Sequence, residues 1–270
     1  MEDRVSPGRL LIIGGGEDRC CGAGLLERFV ELCGGDRARI VLVTTASEVP
    51  EQVHAEYERV FRKLGVDDIR ELRLRGRGDA DSDEAMTALA SATGVFFSGG
   101  DQSKLRTLVG SRVNDLLQKR LEDGLIVAGT SAGATAMGRT MIVGGAGPDV
   151  SAATVRTGPG LGLVPRVLID MHFGERGRLP RLLSAVALDP DHLGVGLDEN
   201  TGILVGDSGF EVLGSGVTSV VDADDATVLH AAGDSDPITL FGVRLHLLPA
   251  GCQFDFETRT PSIGPAHAKY

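Results

Sequence analysis

Short, uninterrupted apolar runs punctuate the first half of the chain, each followed by a glycine-rich or polar turn and then an amphipathic stretch. Arg9–Ile13, Arg39–Val43, Gly94–Ser98 and Leu125–Ala128 are such runs, and Ile69–Leu74, broken by charged residues, is read as a further strand. Continuous rather than alternating hydrophobicity marks strands covered on both faces. Between them the period lengthens. Leu25–Cys33 reads as a helix ended by Gly34-Gly35, glycine being the residue that helix C-termini favour. From Val49 apolar residues recur at Val53, Tyr57, Phe61 and Leu64, a helical stripe with Pro50 in its first turn. Asp83–Thr93 and Leu105–Asp123 are predicted helices as well. Strands alternating with helices through short turns predict an α/β fold, a mainly parallel sheet with helices on both faces.

The second half reads differently. Gly144–Gly162 is glycine-rich and is expected to form a flexible loop beside the site. Val167–Phe173 is strand-like, and residues two apart share a face of a strand. Asp170 and His172 are therefore expected to project together, with Met171 on the other side. Gly174–Arg181 enters a helix that runs to Ala187, and Leu193–Leu197 leads into Asp198-Glu199-Asn200. After residue 203 the pattern shortens; Phe210–Val221 and Ile238–Leu248 predict antiparallel β-hairpins that finish the same domain. A single domain over residues 1–270 is expected, with short flexible ends at about 1–8 and 261–270.

Composition narrows the function classes. With 270 residues, 42% of them hydrophobic, the chain can bury a sizeable core. A net charge of -11 argues against a nucleic-acid partner held through phosphates. The basic run Arg70–Arg77 reads as a strand edge entering a solvated loop. Cys20, Cys21, Cys33 and Cys252 form no C-x-x-C pair and are expected to be reduced. Neither a charged-then-apolar leader nor a membrane-length apolar run is present in the sequence, so a cytoplasmic location is expected. The six histidines are scattered without H-E-x-x-H spacing, so no metal and no cofactor are expected.

The candidate chemistry centres on Gly129-Thr130-Ser131-Ala132-Gly133, which satisfies G-x-S-x-G, the turn that presents a serine between strand and helix. Gly14-Gly15-Gly16-Glu17 is not a dinucleotide loop, because the sixth position of G-x-G-x-x-G is Arg19 and because Glu17-Asp18 would repel phosphate. It reads as a tight turn near a site. In parallel sheets the loops after the strands gather on one edge, so Glu17, Gln102 and Ser131 are expected to face one another. A serine hydroxyl needs a base, and the base needs a group that fixes its tautomer. His172 is the candidate base. Glu199 is the candidate orienting carboxylate, with Asp198 and Asp170 as rivals. The amides of Ala132 and Gly100 are candidates for an oxyanion hole. Arg176, Arg178 and Arg181 suit carboxylate recognition through their guanidinium forks, and Gln102, Asp101 and Asp170 could add polar contacts to a substrate.

These residues carry a resemblance. The ordered blocks Ile12–Glu17, Thr45–Pro50, Phe97–Gln102, Gly129–Ala134, Asp170–Arg178 and Gly196–Thr201 resemble those of the cyanophycinases. That group belongs to the serine peptidase family that also contains the aspartyl dipeptidases. The resemblance covers nearly the whole chain, from about Leu10 to Thr260. It implies a flavodoxin-like sheet related to class I glutamine amidotransferases, with the nucleophile at Ser131, the base at His172 and the acid at Glu199. The substrate implied is cyanophycin, an aspartate backbone with arginine on each side-chain carboxyl, cleaved to β-Asp-Arg dipeptides, and a homodimer is implied too. Met171 stands where the family usually has glutamine, and a thioether cannot supply an amide's hydrogen bonds. Gly174, where relatives often carry serine, is a milder difference. Three other readings stay open. One is an aspartyl or isoaspartyl dipeptidase acting on short peptides. Another is an α/β-hydrolase esterase, which needs the order serine, acid, histidine and would use His230 or His246. The third is a non-catalytic binding protein of the same fold.

Overall fold

The computed structural model describes residues 9–20, 24–164, 166–229 and 233–264. The predicted strands of the first half form five parallel strands, β1 (Leu10–Ile13), β2 (Arg39–Val43), β3 (Asp68–Leu72), β4 (Gly94–Phe97) and β5 (Ile126–Thr130). They lie in the order β1-β5-β4-β2-β3. Between and after them come helices α1 (Gly24–Leu32), α2 (Pro50–Lys63), α3 (Arg77–Ala80), α4 (Asp83–Ser91), α5 (Arg112–Glu122) and α6 (Ala132–Thr135). Alternation along each strand divides the core. Leu11, Ile13, Leu42, Phe96 and Ala128 pack under α1 and α2 through Phe29, Tyr57 and Phe61, whose rings lie 4.8 to 6.0 Å from their neighbours. Leu10, Ile12, Val41, Val43, Val95 and Val127 face the other way, toward Leu89 of α4 and Leu117 of α5.

The later half departs from the expected simple finish. Four antiparallel strands, Thr201–Val205, Gly209–Gly214, Cys252–Asp255 and Thr260–Ile263, extend the main sheet beyond β1 to nine strands. Residues 261–263, expected to be loose, are thus paired with Cys252–Phe254; residues 1–8 and 265–270 lie outside the described part. Four other strands make a second sheet. Val167–Met171 pairs parallel with Leu193–Leu197, and Val217–Asp222 and Arg244–Pro249 follow antiparallel. Its inner face (Ile169, Val195, Leu197, Val220) joins the core on the α4 and α5 side. The outer face (Leu168, Val221) lies under Leu182, Ala185 and Val186 of α7 (Leu179–Leu188).

Two further expectations are corrected. Leu105–Asp123 is a 3₁₀ helix, Gln102–Leu108, followed by a break at Gly110 and by α5, which Ser111 caps by accepting from the Asn114 amide at 3.2 Å. The flexible loop is a hairpin, Thr140–Gly144 paired with Arg156–Pro159. Its glycines serve close approach: a Cβ on Gly145 would lie 2.2 Å from the Thr154 carbonyl. The basic run behaves as read: β3 is the edge strand, and Arg73 pairs with Glu51 and Glu71 while Arg77 pairs with Asp81. Among the described residues no helix is long and apolar enough to cross a membrane.

Candidate active site

β5 ends at Thr130 and α6 begins at Ala132, which leaves Ser131 alone at the turn with φ 52° and ψ -112°. For a residue with a side chain this is sparsely populated backbone, at a cost of about 1–3 kcal/mol that the surroundings must hold. The flanking glycines are required by crowding. A Cβ on Gly129 would come within 2.7 Å of Gly133, and one on Gly133 within 2.4 Å of the Phe97 carbonyl.

Ser131 Oγ lies 2.9 Å from His172 Nε2, and His172 Nδ1 lies 2.6 Å from Glu199 Oε1. Each partner also sits at a left-handed turn: His172 has φ 47°, and Asn200, next to Glu199, has φ 48°. The loop after β1 organises all three. The Ile13 carbonyl accepts from the Ser131 amide at 3.0 Å, Gly14 from the His172 amide at 2.8 Å, and Gly15 from the Asn200 amide at 2.8 Å. The glycines leave room for this. A Cβ on Gly15 would lie 2.3 Å from the His172 ring, and one on Gly16 2.8 Å from the Glu199 carboxylate. Three consecutive glycines after a strand hinted at close approach, but nothing in the spacing named the side chains that approach.

Among the three candidate carboxylates, the hydrogen bonds single out Glu199. Asp198 accepts from the Gly174 and Val217 amides at 2.9 and 3.1 Å. Asp170 does not share a face with His172, because the strand ends at Met171 and His172 turns away. The Asp170 side chain is instead 1% exposed and is held by Arg181, whose Nε reaches Oδ2 at 2.8 Å, and by Arg178 at 3.3 Å. Arg181 also donates to the Gly145 carbonyl at 3.0 Å, which ties the hairpin to this cluster. Asp170 and Arg181, expected to touch substrate, are thus engaged with each other in the interior. Arg178 is half-buried against the Met171 carbonyl and sulfur, and burial, opposed by Asp170, pulls its guanidinium below the ordinary value. Arg176 is exposed.

Gly99 stands against Ser131, since a Cβ there would lie 3.3 Å from Ser131 Cβ. Gly100 has φ 141° and no room for a side chain, with the Ala46 carbonyl 2.1 Å from where a Cβ would be. The amides of Gly100 and Ala132 have no acceptor among the described residues. Gln102 donates to the Ile142 carbonyl at 3.1 Å. Asp101 caps the 3₁₀ helix, and hydrogen bonds from Ser103 hold its carboxyl below the usual range.

Glu17 sits deeper than the sequence suggested. Its side chain is 0% exposed, and Thr130, the residue before Ser131, donates to it at 2.6 Å. His246 lies on the second sheet with its ring 5.8 Å from that of Phe254 and its Nε2 without a partner among the described residues; His230 lies outside them. The contacts therefore run serine, histidine, acid in chain order, the reverse of what an α/β-hydrolase needs for its last two members. No group of three or more histidine, cysteine, aspartate or glutamate side chains that could hold a metal occurs among the described residues.

A serine on a strained strand-to-helix turn, with a histidine on its hydroxyl and a carboxylate on that histidine, is the arrangement of a serine-type peptidase. The model of peptidase family S51 matches residues 10–213, and the chain belongs to that family. It is 37% identical to the cyanophycinase of Trichormus variabilis over 257 residues, 93% of this chain and 86% of that one. With the cyanophycinase of Geminocystis herdmanii identity is 34% over 261 residues, 94% and 96% of the two chains. Among solved structures, a peptidase from an acI-B1 actinobacterium aligns over 93% of this chain and 98% of its own with TM-score 0.68 at 22% identity, a shared fold. A putative peptidase E from Listeria monocytogenes aligns over 77% of this chain and 99% of its own with TM-score 0.54 at 15% identity.

Proposed function

We propose that this chain is a serine exopeptidase that hydrolyses cyanophycin to β-Asp-Arg dipeptides through an acyl-enzyme on Ser131. The observation that carries the reading is the continuous Ser131–His172–Glu199 hydrogen-bond chain, at 2.9 and 2.6 Å, in a protein 37% identical to a cyanophycinase over nearly its whole length. His172 takes the proton from Ser131 Oγ as it bonds to an aspartyl carbonyl carbon. Glu199 fixes the imidazole tautomer and stabilises its protonated form. The amides of Gly100 and Ala132, which have no acceptor among the described residues, receive the oxyanion. The C–N bond breaks as His172 delivers the proton to the leaving amine, and water then hydrolyses the serine ester by the same route in reverse. Arg176 and Arg178, the members of the arginine cluster with accessible surface, and Gln102 contact the arginyl-aspartyl side chains, while Asp170 and Arg181 hold that wall in place. The resemblance to the family supports a homodimer.

Incubation with purified cyanophycin and mass analysis of the soluble products tests this. The wild-type chain is expected to release β-Asp-Arg. Ser131→Ala should fold and lose on the order of 10⁴-fold or more of that rate. Full release by the alanine variant ends the reading, and faster cleavage of aspartyl dipeptides than of polymer by the wild type moves the substrate to short peptides.

A further inference from the structure

We infer that Glu17 is a positioning residue for the nucleophile: through Thr130 it clamps the strained turn on which Ser131 sits. This rests on Ser131 being the nucleophile. A carboxylate with no exposed surface needs partners, because desolvating a charge is expensive. Glu17 has four donor bonds from three residues. Thr130 Oγ1 donates to Oε2 at 2.6 Å, and Arg19 Nη2 and Nε donate to Oε1 at 2.9 and 3.1 Å. The Tyr57 hydroxyl completes the set on Oε1. Burial raises the Tyr57 phenol well above its ordinary value, and the neighbouring Glu17 charge adds to the shift, so tyrosine is the neutral donor of that pair.

Each donor is fixed from behind. Tyr57 is 1% exposed within the aromatic cluster of α2. The Arg19 guanidinium lies 4.6 Å from the centre of the Tyr57 ring and donates to Glu56 at 2.9 Å. Glu17 is therefore a rigid post rather than a mobile surface acid. Only Thr130 among the three belongs to the reacting part of the molecule. It is the last residue of β5, 2% exposed, and its neighbour Ser131 carries the unfavourable φ and ψ.

The placement of Glu17 gives the clamp its consequence. It follows directly on the segment whose carbonyls at Ile13, Gly14 and Gly15 accept from the Ser131, His172 and Asn200 amides. The Thr130–Glu17 bond closes that loop onto the serine turn from a second direction, so the turn cannot relax without also shifting relative to His172. Strain of this kind persists only where the surroundings over-determine it. Releasing one anchor lets Ser131 drift from the imidazole, and small misplacements of reacting groups cost rate, not substrate affinity.

Thr130→Val keeps the shape and removes the donor; Thr130→Ser restores it. The readouts are kcat and KM on substrate and the rate constant for labelling Ser131 with a fluorophosphonate, counted per labelled site so that unfolded chains drop out. Losing a hydrogen bond to a charged group should slow both labelling and kcat of the valine variant by about 10- to 100-fold, with KM within about twofold. The serine variant should stay within about threefold of wild type on the same scale. Wild-type labelling by the valine variant, or a serine variant as slow as the valine one, overturns the inference. If the valine chain does not fold, Thr130→Cys decides, since a thiol is nearly isosteric with serine but a weak donor. Labelling slowed about tenfold relative to Thr130→Ser supports the clamp, and equal rates overturn it. Because labelling needs no cyanophycin, a wrong substrate leaves this outcome untouched. Activity retained by Ser131→Ala instead ends the nucleophile assignment itself.

Discussion

Two kinds of left-handed turn can be set side by side in the molecule. At the periphery, Gly34 (φ 107°), Gly65 (φ 89°) and Gly110 (φ 66°) take the left-handed positions, and nothing lies within 4 Å of where a Cβ would be. Glycine there removes strain, and the turns have room to spare. Around Ser131 a positive φ is taken instead by Ser131, His172 and Asn200, all of which carry a side chain. The glycines beside them are crowded: a Cβ on Gly14 would lie 2.2 Å from the Asp198 carbonyl, and one on Gly15 2.3 Å from His172. The site thus places strain where chemistry needs a side chain and uses neighbouring glycines to let the backbones that hold it come close.

Exchanging glycine for alanine in each class sharpens this contrast. Gly15→Ala should be the most damaging, because the methyl drives His172 off Ser131; a displacement of that order costs about 10²-fold or more in kcat, read by steady-state kinetics on folded protein. Unchanged kcat would mean the loop is merely near the site. Next comes the interior cluster behind the base strand. Asp170→Asn leaves Arg181 buried without its charge partner, and breaking such a pair costs about 3–5 kcal/mol, read by chemical denaturation. A loss below about 1 kcal/mol would mean that solvent already screens the pair. Gly65→Ala is the mildest: about 1–2 kcal/mol of stability for an alanine in left-handed backbone, with activity per folded chain unaltered. A matching loss of activity would erase the distinction between the two kinds of turn.

Much of this was legible in the chain because it is local. Four continuous apolar runs, the charge-broken segment Ile69–Leu74 and the glycine punctuation defined β1 to β5, and G-x-S-x-G fixed where the serine turn falls. The family resemblance put Ser131, His172 and Glu199 in order. Pairing across long sequence separations was not legible. A strand pattern at Val167–Phe173 does not say which sheet it joins, and period two cannot show that the strand stops at Met171, one residue short of His172. For the same reason Asp170 was assigned to the site when its partner, Arg181, lies eleven residues on and turns it inward. Glycine content misled at Gly144–Gly162 because close approach and flexibility call for the same residue; only the β-branched residues flanking the turn favoured a hairpin. Glu17 was expected near Ser131, but that Thr130 would bond it is a contact across 113 positions.

The most direct measurement is peptide mapping after fluorophosphonate treatment of the wild-type and His172→Ala chains. One adduct per wild-type chain, on the peptide bearing Ser131, with labelling slowed on the order of 10³-fold or more without the imidazole, is the outcome expected of a serine activated by His172. An adduct on another residue, or equal labelling rates in the two proteins, would contradict it.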